Sequence, residues 1–163
     1  MKILNNSVRP SLLDALIDLN PQDSMDKKQT QERFLKDICK GIERDLQNLL
    51  NTSRRFFRWP STLTQLENSL MDYGLPDYTS TFFGAESEQK IFCNIIKTAI
   101  EKYEPRVQNA VVTLKKIEQE KINILYFKID GFLSIDKNLE AIAFHSQLNT
   151  LTHSISMEVI ANV

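Results

Sequence analysis

The residues best placed to do chemistry sit in two short stretches. KYEPRVQ, at 102–108, sets Glu104, Pro105 and Arg106 between a helical pattern and a strand-like one. Pro105 has no backbone N–H and clashes with a preceding helical turn, so it ends the helix, and it biases Glu104 away from helical geometry. An acid near a helix end is one half of a glycoside-hydrolysis pair, in which one carboxyl protonates the leaving oxygen and another attacks or activates water. Arg106, two residues on, works against that role, because a neighbouring cation favours the ionised form of a carboxylate. The sequence pattern supplies no second acid in an apolar, substrate-sized setting. Catalysis, a local salt bridge and a protein-docking point are the three readings of this seam. Glu104 and Arg106 are expected to lie close together at one end of the domain, screening each other, with Glu104 turned away from the sheet core.

The second stretch, TSRRFFRW at 52–59, interleaves Arg54, Arg55 and Arg58 with Phe56, Phe57 and Trp59. Such interleaving can stack bases and neutralise phosphates. Arginines just past a helix C-terminus also satisfy its carbonyls and dipole, and Arg and Trp carry much of the energy of protein interfaces. Local structure, protein docking and nucleic-acid binding all stay open here. Other chemistries find no pattern. The four glycines are scattered and make no phosphate-binding motif. His145 and His153 straddle an expected turn with no cysteine nearby, so no metal or cofactor site is expected. Cys39 and Cys93 fall inside amphipathic patterns and read as core residues.

The elements that hold these stretches are strongly periodic. Residues 11–19, SLLDALIDL, read as a short helix capped by Ser11, with Leu12, Leu13, Leu16 and Ile17 on one face. Residues 20–31 hold one apolar side chain in twelve and read as a flexible polar loop. From Glu32 to about Asn51, Phe34, Leu35, Ile38, Cys39, Ile42, Leu46, Leu49 and Leu50 recur at helical spacing, and Gly41 within that helix suggests close packing against a neighbour. A shorter helix is expected over 62–72, with Leu63, Leu66 and Leu70 aligned, before a turn at Gly74 and Pro76. A second long helix is expected over 86–103, with Ile91, Phe92, Ile95, Ile96, Ala99, Ile100 and Tyr103 on one face.

After the seam the period changes from 3.6 to 2. Strands are expected over 107–117 and 122–135, joined across EQEK at 118–121, then around Ile142–Leu148. A fourth carries Leu151, His153, Ile155, Met157 and Val159 on one face. Helices first and strands later predict an α+β fold, with N-terminal helices on one face of an antiparallel sheet of about four strands. The 163 residues are read as a single domain. Twenty basic against twenty-one acidic side chains give a net charge of −1, without the basic excess of a dedicated nucleic-acid binder. No apolar run approaches the roughly 20 residues of a membrane span, and MKILNNSVRPSLLD lacks a signal-peptide pattern. A cytoplasmic protein is expected.

Four segments in order carry a resemblance: RPSLLDALID at 9–18, ERDLQNLLNTSRR at 43–55, YGLPDYT at 73–79 and YEPRV at 103–107. The series resembles the TssE family of type VI secretion baseplate subunits, which includes a phage-tail wedge protein long labelled lysozyme-like. The resemblance implies a non-enzymatic wedge subunit without cofactor, assembled beside TssK, TssF and TssG at a baseplate docked on the inner membrane. It implies a sheet similar to that of the sheath proteins TssB and TssC, serving as a template for the first sheath ring by strand addition. The family's Glu-Pro-Arg motif falls on Glu104, Pro105 and Arg106, and implies that these residues hold the wedge. Arg54 and Arg55 join them as expected protein-binding residues. A peptidoglycan-cleaving hydrolase is the alternative.

Overall fold

The computed structural model describes residues 11–17, 31–54, 60, 62–67, 69–77, 85–115, 124–135 and 138–160. The polar stretch 20–30, the link at 118–121 and Arg55 to Trp59 lie outside the described residues. In chain order the helices are α1 (Leu12–Leu16), α2 (Gln31–Asn51), α3 (Thr64–Glu67) and α4 (Glu86–Tyr103). The strands follow: β1 (Val107–Lys115), β2 (Ile124–Ile135), β3 (Asn138–Asn149) and β4 (Ser154–Ile160). The sheet runs β1-β2-β3-β4, every neighbour antiparallel. The expected α+β order is the observed one.

Alternation decides which face the helices cover. Phe127, Ile129 and Leu133 of β2, with Ile142, Phe144 and Leu148 of β3, are buried at every second position. Ile38, Ile42, Leu46, Leu49 and Leu50 of α2 join them in one cluster with Phe92, Ile96, Ala99 and Ile100 of α4. Phe92 meets Phe127 edge to face with ring centres 6.2 Å apart, tying α4 to the sheet. At the end of α2 the Asn51 carboxamide imitates a strand neighbour. It donates to Ile155 O and accepts from Ile155 N, both at 2.8 Å, so it satisfies both backbone groups of one residue of the outer strand β4.

Three expectations need correction. The helix anticipated over 62–72 is broken into α3 and a 3-10 turn at Leu70–Asp72, and Leu63 and Leu70 are exposed. Ser69 makes the break: its hydroxyl accepts from the Met71 N–H and caps the second piece. Ile91 stands 59% exposed on α4, outside the buried stripe. Leu151 and His153 precede β4 rather than belong to it, because the turn after Asn149 is longer than two residues. The Asn149 carboxamide accepts from the Leu151 and Thr152 N–H groups, and His153 takes a positive φ of 52°. The turn at Gly74 is as expected. Its φ of +107° and a Cβ position only 2.3 Å from Thr52 O leave room for no side chain. That approach lets Leu75 and Thr52–Arg54 exchange backbone hydrogen bonds.

Candidate functional site

The seam is built by the helix that ends there and the strand that begins there. The Glu104 N–H still bonds back to Ile100 O at 2.8 Å, and the Val107 N–H bonds to Glu104 O at 3.1 Å. Pro105 and Arg106 therefore form a tight turn between α4 and β1. Val107 points into the core, so the flanking Arg106 side chain turns along the end of the sheet.

There the guanidinium meets two acids. Arg106 Nε donates to Glu104 Oε1 at 2.6 Å and Nη2 to Glu104 Oε2 at 2.5 Å, a two-pronged fork. Nη2 also donates to Asp45 Oδ2 at 2.6 Å. The Glu104 hydrogen bonds are the main reason the Arg106 pKa lies above its ordinary value; burial works the other way, and Asp45 adds to the rise. Glu104 and Arg106 lie close together, as expected. The expectation that they merely screen each other at the surface is corrected: Glu104 is 4% exposed in the free chain.

Asp45 is the residue that sequence reasoning missed. It stands on α2, 61 residues from Arg106, at the border of the apolar stripe beside Leu46. Its other oxygen accepts from Arg44 Nε and Nη2 at 3.3 and 2.9 Å. Arg44 Nη1 reaches Asp14 of α1 at 2.6 Å. Five charges of alternating sign thus run from α1 to the end of α4. A cleft of about 420 Å³ lies over the inner part of this chain, lined by Asp45, Glu104 and Arg106 together with Ser11, Asn48, Tyr73, Tyr103 and Pro105. Tyr73 and Tyr103 pack edge to face at 5.1 Å. Burial first, then Asp45 and Glu104, push the Tyr73 phenol up.

Arg54 lies elsewhere, at the mouth of a second groove on the far side of Tyr103. It reaches Asp72 at 3.4 Å, and Lys102 reaches the same carboxylate at 2.9 Å. The structure therefore separates Arg54 from the seam. The other candidates hold no site together. His145 meets Lys115 Nζ at 2.9 Å in an exposed position. Cys39 is buried, Cys93 half-buried, and burial pushes both thiols up. Among the described residues no group of His, Cys, Asp or Glu could hold a metal, and no helix is long and apolar enough to cross a membrane.

Comparison with known proteins falls on this same region. No curated protein matches the chain. A chain of the baseplate complex from the type VI secretion system shares its fold, with a TM-score of 0.52 at 18% identity over 70% of this chain and 94% of that one. The family profile of baseplate wedge protein gp25 matches residues 37–138, from the second turn of α2 to the first residue of β3. The match spans more than half of the sequence and includes Asp45 and the Glu104–Arg106 seam, and on it the chain belongs to the baseplate wedge protein gp25 family.

Proposed function

We propose that the protein is a structural, non-catalytic subunit of a type VI secretion baseplate wedge, the whole chain acting as one wedge domain. The observation that carries this reading is the seam: an ion-paired turn of fixed geometry at the base of an open cleft, inside the region that matches the wedge family. A rigid, charged knuckle beside two tyrosines suits recognition of a protein surface. It suits hydrolysis poorly. Both oxygens of Glu104 accept from Arg106, and the neighbouring acid, Asp45, is tied to the same guanidinium. A glycosidase needs two carboxyls free to face a substrate from different sides.

In this reading Glu104, Pro105 and Arg106 dock on the wedge subunits TssF and TssG, with TssK alongside. Arg54 and Arg55 form a separate contact. The sheet templates the first ring of the sheath proteins TssB and TssC, by strand addition at an edge. The site of action is the cytoplasmic side of the inner membrane, with no membrane insertion and no nucleic acid.

The test uses a residue that lines the cleft but belongs to no ion pair. Asn48 is exposed on α2, so Asn48→Arg should fill the cleft mouth and leave the clasp intact. Co-purification with TssF and TssG should be lost while the melting temperature holds. Unimpaired assembly would remove the seam from the interface. Purified protein should release no muropeptides from cell-wall glycan, and release that disappears in Glu104→Gln would establish the hydrolase instead.

A further inference from the structure

α1 is anchored differently from the long helices α2 and α4. Leu12 is 80% exposed and Leu16 74%, and Leu13 and Ile17 also stand in solvent. None of these four side chains enters the core cluster. A five-residue helix is far below the length that holds itself together in water, so polar contacts must hold it. Three of them converge on Asp14. Its carboxylate accepts from the Ser11 hydroxyl at 2.7 Å and from Arg44 Nη1 at 2.6 Å, while its N–H donates to Ser11 Oγ at 3.1 Å. The fourth feature is a gap in α2: a Cβ on Gly41 would lie 2.8 Å from Asp14 Oδ2. Gly41 therefore makes the seat into which Asp14 fits.

The seat leads on to the seam. Arg44 shares itself between Asp14 and Asp45, and Asp45 shares itself between Arg44 and Arg106. Ser11, the cap of α1, lines the same cleft as Pro105 and Arg106. We propose that Asp14, Arg44 and Gly41 form a charge latch that straps α1 across the rim of the cleft, and that Asp45 couples the latch to Arg106, so that releasing α1 loosens the seam. Asp45 is then a positioning residue: it acts through Arg106 and sets how firmly the Glu104 fork is held.

A latch made of partly exposed charges is screened by salt, whereas one made of buried carbon is not. The coupling makes a second demand, that the signal reach Arg106 itself. Both are read on the free protein by hydrogen exchange of the 12–17 amides and by NMR of the Arg44 and Arg106 Nε–H groups. Failure of the latch is thereby distinguishable from failure of the docking reading above.

In Asp14→Asn, and in the unmodified protein at 1 M NaCl, the α1 amides should exchange at least about tenfold faster, with the core amides unchanged. The Arg106 Nε–H should shift and exchange faster in Asp14→Asn, although Asp14 does not touch it. Gly41→Ala supplies a variant that a merely structural account does not accommodate. Alanine favours a helix interior, and the atom it would meet is the far end of the Asp14 side chain rather than backbone, so α2 itself should be no less stable. α1 should nevertheless exchange faster. Unchanged α1 protection in both salt and Asp14→Asn would overturn the latch. Faster α1 exchange with an unmoved Arg106 signal would overturn the coupling.

Discussion

The molecule carries two small charge clusters on either side of Tyr103, and they are near mirror images in composition. At the seam one cation serves two carboxylates: Arg106 between Glu104 and Asp45. At the second groove one carboxylate serves two cations: Asp72 between Arg54 and Lys102. Solvent separates the Glu104–Arg106 fork from the second cluster. The Glu104 and Arg106 side chains are 6% and 18% exposed, those of Arg54 and Lys102 39% and 27%. Geometry separates them too, since the seam uses a fork with contacts of 2.5 and 2.6 Å while Arg54 reaches Asp72 at 3.4 Å. A planar guanidinium matched to a carboxylate by two bonds resists substitution in a way the separate single contacts of Arg54 and Lys102 with Asp72 do not. Equal charge counts therefore conceal a clasp in one place and a loose surface pairing in the other.

The sharpest way to break this comparison is to remove the central group of each cluster. Arg106→Ala leaves Glu104 buried without its partner, and losing one member of a buried pair costs about 3–5 kcal/mol. Urea denaturation should show that loss. The intermediate case is Arg106→Lys, which keeps the charge but cannot reproduce the fork. Its cost should fall between those of the two extremes, near the ~1.5–3 kcal/mol of a hydrogen bond to a charged group. At the second cluster, where all three side chains are partly exposed and none shares a fork, Asp72→Asn should cost about 1 kcal/mol. If Asp72→Asn matched Arg106→Ala in the same experiment, burial would not be what distinguishes the clusters.

The two regions also differ in how far the sequence reveals them. The sheet is legible because Phe127, Ile129 and Leu133, then Ile142, Phe144 and Leu148, alternate over long strands, and a period of 2 fits no helix. The long helices are legible for the complementary reason. The boundary between them is legible because Pro105 cannot continue a helix. Asp45 is not legible as a partner of Arg106, because it is 61 residues away and nothing local records which end of α2 meets which end of α4. The break between α3 and the 3-10 turn is hidden for another reason. Leu63, Leu66 and Leu70 have the right spacing, but the capping preference of Ser69 overrides it. The apolar face of α1 reads like any amphipathic helix, and only the fold shows that its leucines stay outside the core while its one acid faces inward.

The smallest expected effect lies at the outer end of the seam's charge chain and is a matter of pH. Burial pushes the Asp14 carboxyl up, but hydrogen bonds from Arg44 and Ser11 outweigh it and leave its pKa below the ordinary value of 3.8. A group whose folded pKa is depressed contributes stability at pH above its unfolded value, and that contribution fades as pH falls through the folded value. α1 should therefore stay seated from neutral pH down to about 4 and come away below it. Global melting cannot isolate this step. Glu43, on the same helix as Arg44, moves in the opposite sense: burial first, and then Glu158, push its carboxyl up. Its protonation relieves the folded state in the acid range just above that of Asp14, so the two steps follow one another in a melt. A local probe separates the two, namely the Gly41 and Leu16 amide resonances followed from pH 6 to pH 3. They should move together, with a midpoint below 3.8, and Asp14→Asn should abolish the transition while leaving any step due to Glu43 in place. Resonances that titrate identically in the Asn variant would mean that another acid seats α1, and the contrast between a buried clasp at one end of the chain and a light latch at the other would have to be redrawn.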